Sequence, residues 1–223
     1  MDRSNPKLNT RVTFAIAQDK PIGVVIAAYT ARLSQVFHWD LETDTFTPGQ
    51  FLKARAYVLS ISPDGKYFGY YVHAFHKRQQ IYACIAKVAH FSALGFFPYF
   101  LWDMPIIHFL DNGDIFVVNK EITFPWANQF ELAEEHITPG FTHRIMRDWK
   151  DRTPKLADRI LERLKTHMLR WQRCHGTHRD RRIWTTNNEL HATDRVTGKP
   201  IILKEFPKEP FQEIEPPDWA KKW

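Results

Sequence analysis

Hydrophobic and polar positions alternate along most of the first half of the chain, and this pattern predicts strands. Arg11 to Ala17 partly alternates and reads as a strand, followed by a turn at Gln18-Asp19-Lys20-Pro21. Ile22 to Tyr29 is an unbroken apolar run rich in β-branched residues, as expected of a strand buried on both faces. Ser34 to Asp40 and Thr43 to Thr47 form the next hairpin, and Thr47-Pro48-Gly49 reads as a type II turn. Arg55 to Ile61 pairs with Tyr67 to Ala74 across Pro63-Asp64-Gly65. Proline there pre-sets φ, aspartate bonds its own backbone, and glycine accepts the positive φ that closes the turn. Gln79 to Val88 continues the meander. Phe91 to Pro105 carries Pro98 and Pro105 and reads as an irregular aromatic loop. Ile106 to Leu110 and Ile115 to Asn119 flank Asn112-Gly113, a strong hairpin signal.

The pattern changes near Ala127. Glu131 to Ile137 reads as a short acidic helix. Thr153-Pro154 then suits the start of a long helix, with threonine at the N-cap and proline in the first turn. Gly176 suits its far end. A helix over 154–175 would be about 33 Å long. At about 100° per residue, Ala157, Ile160, Leu161, Leu164, Met168 and Trp171 share one face. Lys155, Arg159, Arg163, Arg170 and Arg173 share the nearly opposite one. Beyond it, Arg182 to Thr186, Glu189 to Thr193 and Pro200 to Phe206 read as strands. Pro207 to Trp223 holds four prolines and reads as an extended arm. Its Trp219 and Trp223 are hard to bury locally, so the arm is expected to pack on its own domain or on a second copy.

The expectation is a single domain over 1–223: a β-meander over 11–120, a helical segment over 128–176, C-terminal strands over 182–206 and an arm over 207–223. In class terms this is mainly β (α+β), built of antiparallel, blade-like hairpins with one long amphipathic basic helix packed on the sheet. The 32 aromatic residues among 223 supply enough material for a packed core.

Charge changes the picture in one place. Residues 144–182 hold thirteen Lys/Arg and five Asp/Glu, whereas the remainder holds eighteen and twenty. Arginine outnumbers lysine ten to three in that stretch, which suits bidentate contacts to phosphate or carboxylate. The basic helix face, extended by Arg179, Arg181 and Arg182, is therefore a candidate site for a polyanion or an acidic partner, nucleic acid included. The competing reading is a solvated charged face neutralised by Asp158, Glu162 or an acidic neighbour such as Glu131, Glu134 and Glu135.

Two cysteines, Cys84 and Cys174, make no disulfide framework, and the N-terminus lacks the apolar core of a signal peptide. The apolar runs Ile22 to Tyr29 and Gly95 to Trp102 fall far short of the ~20 residues that span a bilayer. A soluble, cytoplasmic protein is expected. Cys174, His175 and His178 are metal-capable but lack paired ligand spacing. Histidines near a helix C-terminus also simply suit its dipole. No nucleophile elbow, Walker loop or dinucleotide fingerprint is present, and no cofactor is implied. Were the protein an enzyme, His73, His76, His175 and His178 would be the candidates. The expectation is a non-enzymatic binding or interaction module, with polyanion binding as the alternative.

The hairpins with Trp39-Asp40 and Ser62-Pro63-Asp64-Gly65 resemble blades of β-propellers of the WD40 or TolB kind. Residues 36–66, with Trp39-Asp40-Leu41-Glu42-Thr43-Asp44-Thr45-Phe46-Thr47-Pro48-Gly49-Gln50 ahead of that turn, resemble a family of uncharacterised bacterial proteins. That resemblance implies a β-meander over about 11–120 and no activity. Four blades of ~40 residues would consume at least ~160 residues. An antiparallel sheet or twisted sandwich carrying the helix fits the length better.

Overall fold

The computed structural model describes residues 10–74, 80–99, 106–109, 115–118, 143–145 and 175–222. Among these residues fifteen strands form four small sheets. The first is an antiparallel meander of β1 (Arg11–Ile16), β2 (Ile22–Thr30), β3 (Leu33–Asp40) and β4 (Thr45–Leu52). The second repeats the plan with β5 (Arg55–Ile61), β6 (Tyr67–Ala74), β7 (Gln80–Lys87) and β8 (Gly95–Tyr99). In the third, β9 (Ile106–Phe109) runs antiparallel to β10 (Ile115–Val118), which pairs in parallel with β11 (His143–Ile145). The fourth is a meander of β12 (His175–His178), β13 (Arg181–Thr186), β14 (Glu189–Thr193) and β15 (Pro200–Glu205).

The sheets stack face to face, and alternation along the strands decides which face meets which neighbour. On β2, Val24 and Ile26, with Val36 of β3, turn to the second sheet, where they join Ala56, Val58, Phe68, Tyr70 and Val72. Val25, Ala27 and Tyr29 turn the other way, joining Phe37, Trp39, Ile183, Leu190, Ala192 and Phe206 of the first and fourth sheets. The far face of the second sheet, with Tyr57, Tyr67, Tyr71 and Ile85, meets Ile107 and Phe109 of the third. The spatial order is thus fourth, first, second, third. The C-terminal sheet returns to cover the N-terminal one.

Hydroxyls stitch these layers where edge strands leave backbone groups unpaired. The Val58 amide donates to Thr13 Oγ1 at 3.0 Å, linking β5 to β1. Ser60 Oγ donates to the Ile107 carbonyl at 2.6 Å, linking β5 to β9. Ser34 Oγ donates to the Ala54 carbonyl and accepts from the Ala56 amide.

The turn at Ser62–Tyr67 forms as its residues dictate, with Gly65 at φ 73°. Ser62 Oγ donates to Asp64 Oδ1 at 2.7 Å, and the Gly65 amide donates to the Ser62 carbonyl at 2.9 Å. The apolar run at Ile22 is buried on both faces, as its lack of a polar side requires. β2, β3, β5 and β13–β15 lie close to where the sequence pattern puts them.

Four expectations need correction. First, among the described residues there is no α-helix. The expected helix lies largely outside them: Lys155, Arg159, Arg163, Arg170, Arg173 and Cys174 are not described, nor is the acidic helix over 131–137. Where its end can be checked, it is not helical. His175 and Gly176 belong to β12, paired with Trp184 and Ile183. Gly176 does not cap a helix in the left-handed region; a Cβ there would meet Phe14 Cε2 at 2.9 Å, so glycine permits close approach of the fourth sheet to the first. A fold of stacked sheets replaces a sheet carrying an amphipathic basic helix. Second, the β-layers among the described residues are four separate sheets, not one sheet or a twisted sandwich. Third, Phe91 to Pro105 is not wholly irregular, because Gly95–Tyr99 pairs with β7. Pro98 is accommodated there because β8 is an edge strand, where a missing donor costs little. Fourth, Thr47-Pro48-Gly49 is no turn but the middle of β4, with a register shift opposite it between Gln35 and Phe37.

Gly49 has a packing reason instead. A Cβ there would stand 2.1 Å from the Ala89 carbonyl oxygen, and that oxygen accepts the Gln50 amide at 3.1 Å. Backbone cannot yield as a side-chain tip can. Gly49→Ala is therefore expected to lower the free energy of unfolding by about 2–4 kcal/mol. Gly198→Ala, whose added methyl meets nothing within 4 Å but whose φ is +66°, is expected to cost about 1 kcal/mol. Urea denaturation of both variants measures the difference.

Candidate functional site

The arginines that sequence assigns to a polyanion face fall, where described, at the junction of the fourth and first sheets. The tight turn between β12 and β13 sets Arg179 and Asp180 at φ 46° and 65°. This aims the start of β13 at the β3–β4 turn, which Asp40 closes by accepting from the Glu42 and Thr43 amides. Arg181 is 5% exposed, and its Nη1 reaches both Asp44 oxygens, at 2.9 and 2.7 Å. Its Nε donates to the Thr193 carbonyl at 2.8 Å. Arg179 pairs with Glu42 at 3.5 Å, with both side chains mostly exposed. Arg195, which sequence reading did not single out, donates to the Glu42 and Leu41 carbonyls.

Arg181 thus spends its guanidinium on a carboxylate of its own chain. A buried, charge-assisted pair of this kind fixes how two layers meet. The exposed pair Arg179–Glu42 adds at most a fraction of a kcal/mol, roughly. Of the three described cations only Arg182 is exposed without a described acidic partner. The signal for this clasp was in the sequence as acidic residues in one turn and arginines 137 positions later. Nothing local connects them.

The histidines do not converge. His73 is in β6, opposite Arg55, whereas His175 and His178 are in β12, on the far side of the first sheet. His76 lies outside the described residues. His178 has a buried Nε2 with no hydrogen-bond partner, and burial followed by Arg179, Arg195 and Arg181 pushes its pKa down. That cationic surround opposes a metal ion as it opposes a proton. No group of three or more metal-capable side chains gathers among the described residues. Cys84 is free and buried, and burial pushes its thiol up to about 12, which keeps it un-ionised and unreactive.

A second exposed feature comes from the C-terminal arm, which crosses the edges of the sheets as a strap. Phe206 ends the fourth sheet inside the core shared with the first. Phe211 then meets Phe51 of β4 edge-on at 6.0 Å. Gln50 Nε2 donates to the Ile214 carbonyl at 2.7 Å, and Lys87 Nζ donates to the Trp219 carbonyl at 2.6 Å. A 3-10 turn over Asp218–Lys221 buries Ala220 completely. The arm therefore packs on its own domain, one of the two arrangements expected for it. The pinned atoms are largely carbonyls, and the side chains keep one face exposed: Trp219, edge-on to His90 at 5.0 Å, is 57% exposed, and Phe211 and Ile214 are each 38% exposed. Lys53 lies over the Phe211 ring at 4.3 Å and Lys87 beside Trp219 at 5.6 Å. Sequence flagged Trp219 as hard to bury, but the flanking lysines were not visible in it.

No protein-family model matches the chain, and no curated protein or solved structure matches it significantly. Among the described residues no helix is long and apolar enough to cross a membrane.

His38, His73, His90 and His178 all have lowered pKa values, with burial the leading cause in each. A lowered value means that the unfolded chain binds protons more readily than the folded one. Their contribution is complete above the unfolded value of 6.5 and is lost as pH falls through the folded values. The urea midpoint is expected to fall steadily from pH 7 to pH 5, and less steeply in His178→Gln. A midpoint that is flat or rises on acidification contradicts this assignment.

Proposed function

We propose that the protein is a non-enzymatic interaction module, a stack of blade-like sheets that holds its C-terminal strap as a rigid docking ridge. The observation that carries this reading is the strap itself: backbone carbonyls tie it down while Phe211, Ile214 and Trp219 each keep an exposed face. Aromatics fixed before binding lose little conformational entropy on association and dominate contact energetics. Lys53 and Lys87 beside the two rings favour a partner segment that carries carboxylates near apolar side chains. The scattered histidines and the pairing of Arg181 with Asp44 favour binding through this ridge over catalysis, or over phosphate capture by the start of β13.

The test is peptide display on the purified full chain and on the double variant Phe211→Ala/Trp219→Ala. Both rings are partly exposed, so the variant is expected to fold. Wild type is expected to enrich peptides mixing acidic and large apolar residues, with the enrichment lost in the variant. No enrichment, or equal enrichment on both proteins, overturns the reading.

A further inference from the structure

Arg55 is the one described residue that combines deep burial, permanent charge and missing partners. It opens β5 and is 7% exposed. Its Nε and Nη2 are buried and accepted by no oxygen. A guanidinium cannot shed its proton in a protein, so burial without an anion leaves a desolvated charge uncompensated. Arg181 shows how this chain solves that problem elsewhere, with Asp44 against its guanidinium. Among the described residues no carboxylate is paired with Arg55 in this way.

Which two atoms are orphaned carries the inference further. Nε–H and one Nη2–H point the same way along one edge of the guanidinium plane. That edge is the two-pronged donor that matches two oxygens of a carboxylate or phosphate. Its surroundings suit a small anion. Arg55 stands opposite His73, and two residues along the same strand faces Tyr57 stands opposite Tyr71, their rings stacked at 4.9 Å. Burial, then the Arg55 charge, pushes the His73 pKa down. The imidazole next to the site is therefore neutral at physiological pH. Arg55 begins its strand and His73 is one residue from the end of β6, so the pair sits at the rim of the second sheet.

We propose that Arg55 anchors a binding site for a small oxyanion, a carboxylate or a phosphate group, held side-on by Nε and Nη2 with His73 alongside. The site is independent of the strap: it lies on a different strand edge and uses none of its residues, so either reading can fail alone.

Thermal unfolding of the full chain in sodium phosphate, sodium acetate and sodium chloride at matched ionic strength tests it. Wild type is expected to gain melting temperature with phosphate or acetate, saturably and beyond the chloride control, as a ligand that binds only the folded state requires. The salt that acts distinguishes a phosphate site from a carboxylate site. Arg55→Lys keeps the charge but loses the fork, and is expected to weaken the effect about tenfold. Arg55→Met keeps the volume, and is expected to abolish the effect while matching or exceeding wild-type stability in chloride. Absence of any anion-specific rise in wild type overturns the proposal. So does a large loss of stability in Arg55→Met without added anion, because the guanidinium would then be paired within the chain.

Discussion

β2 has no polar face. From Gly23 to Tyr29 every residue is buried, so the first sheet must be covered on both sides, and a single neighbouring layer cannot do it. The second sheet, next along the chain, covers one side with Ala56, Val58 and Val72. The other side is left for a layer made more than 130 residues later, from Ile183, Leu190 and Ala192. Burying side chains of this size is worth about 1.5–3 kcal/mol each, which outweighs anything the surface ion pairs contribute. The closing of the C-terminal sheet onto the N-terminal one is therefore a demand made by one strand.

The polar contacts refine that closure. Arg181 and Asp44 fix the angle at which the fourth sheet meets the β3–β4 turn, and Arg195 ties two carbonyls of the same turn. Trp39 packs under this junction, stacked on Phe46 at 5.4 Å, with Phe46 edge-on to Phe206. Phe206 is where the strap departs, so the core that closes the sheets also places the ridge. The β3–β4 hairpin thus serves both packing and presentation.

Much of this was legible from alternation alone. Apart from β4, the strands from Arg11 to Lys87 and from Arg181 to Glu205 are local features, with Pro63-Asp64-Gly65 and Asn187 marking turns by their chemistry. Misreadings came where a residue type has two uses. Gly49 and Gly176 look like a turn and a helix end; both permit close approach, to Ala89 and Phe14, which only tertiary structure reveals. Pro98 looks like a strand breaker, yet at a sheet edge it breaks nothing. The candidate site was less legible still. Charge counting singled out Arg179, Arg181 and Arg182 but could not see Asp44 opposite one of them, and it passed over Arg55, whose interest lies in what is missing around it.

Native-state hydrogen exchange measures the central claim most directly. If the first sheet is stable only when the fourth covers it, the amides of Val25 and Ala27 open together with those of Leu190 and Ala192. Their opening free energies then match, and Leu190→Ala, which removes a fully buried side chain, lowers both by the same ~2–4 kcal/mol. Protection of β2 that stays unchanged while β14 exchanges freely would show that the first sheet stands without its C-terminal cover, and would contradict the account.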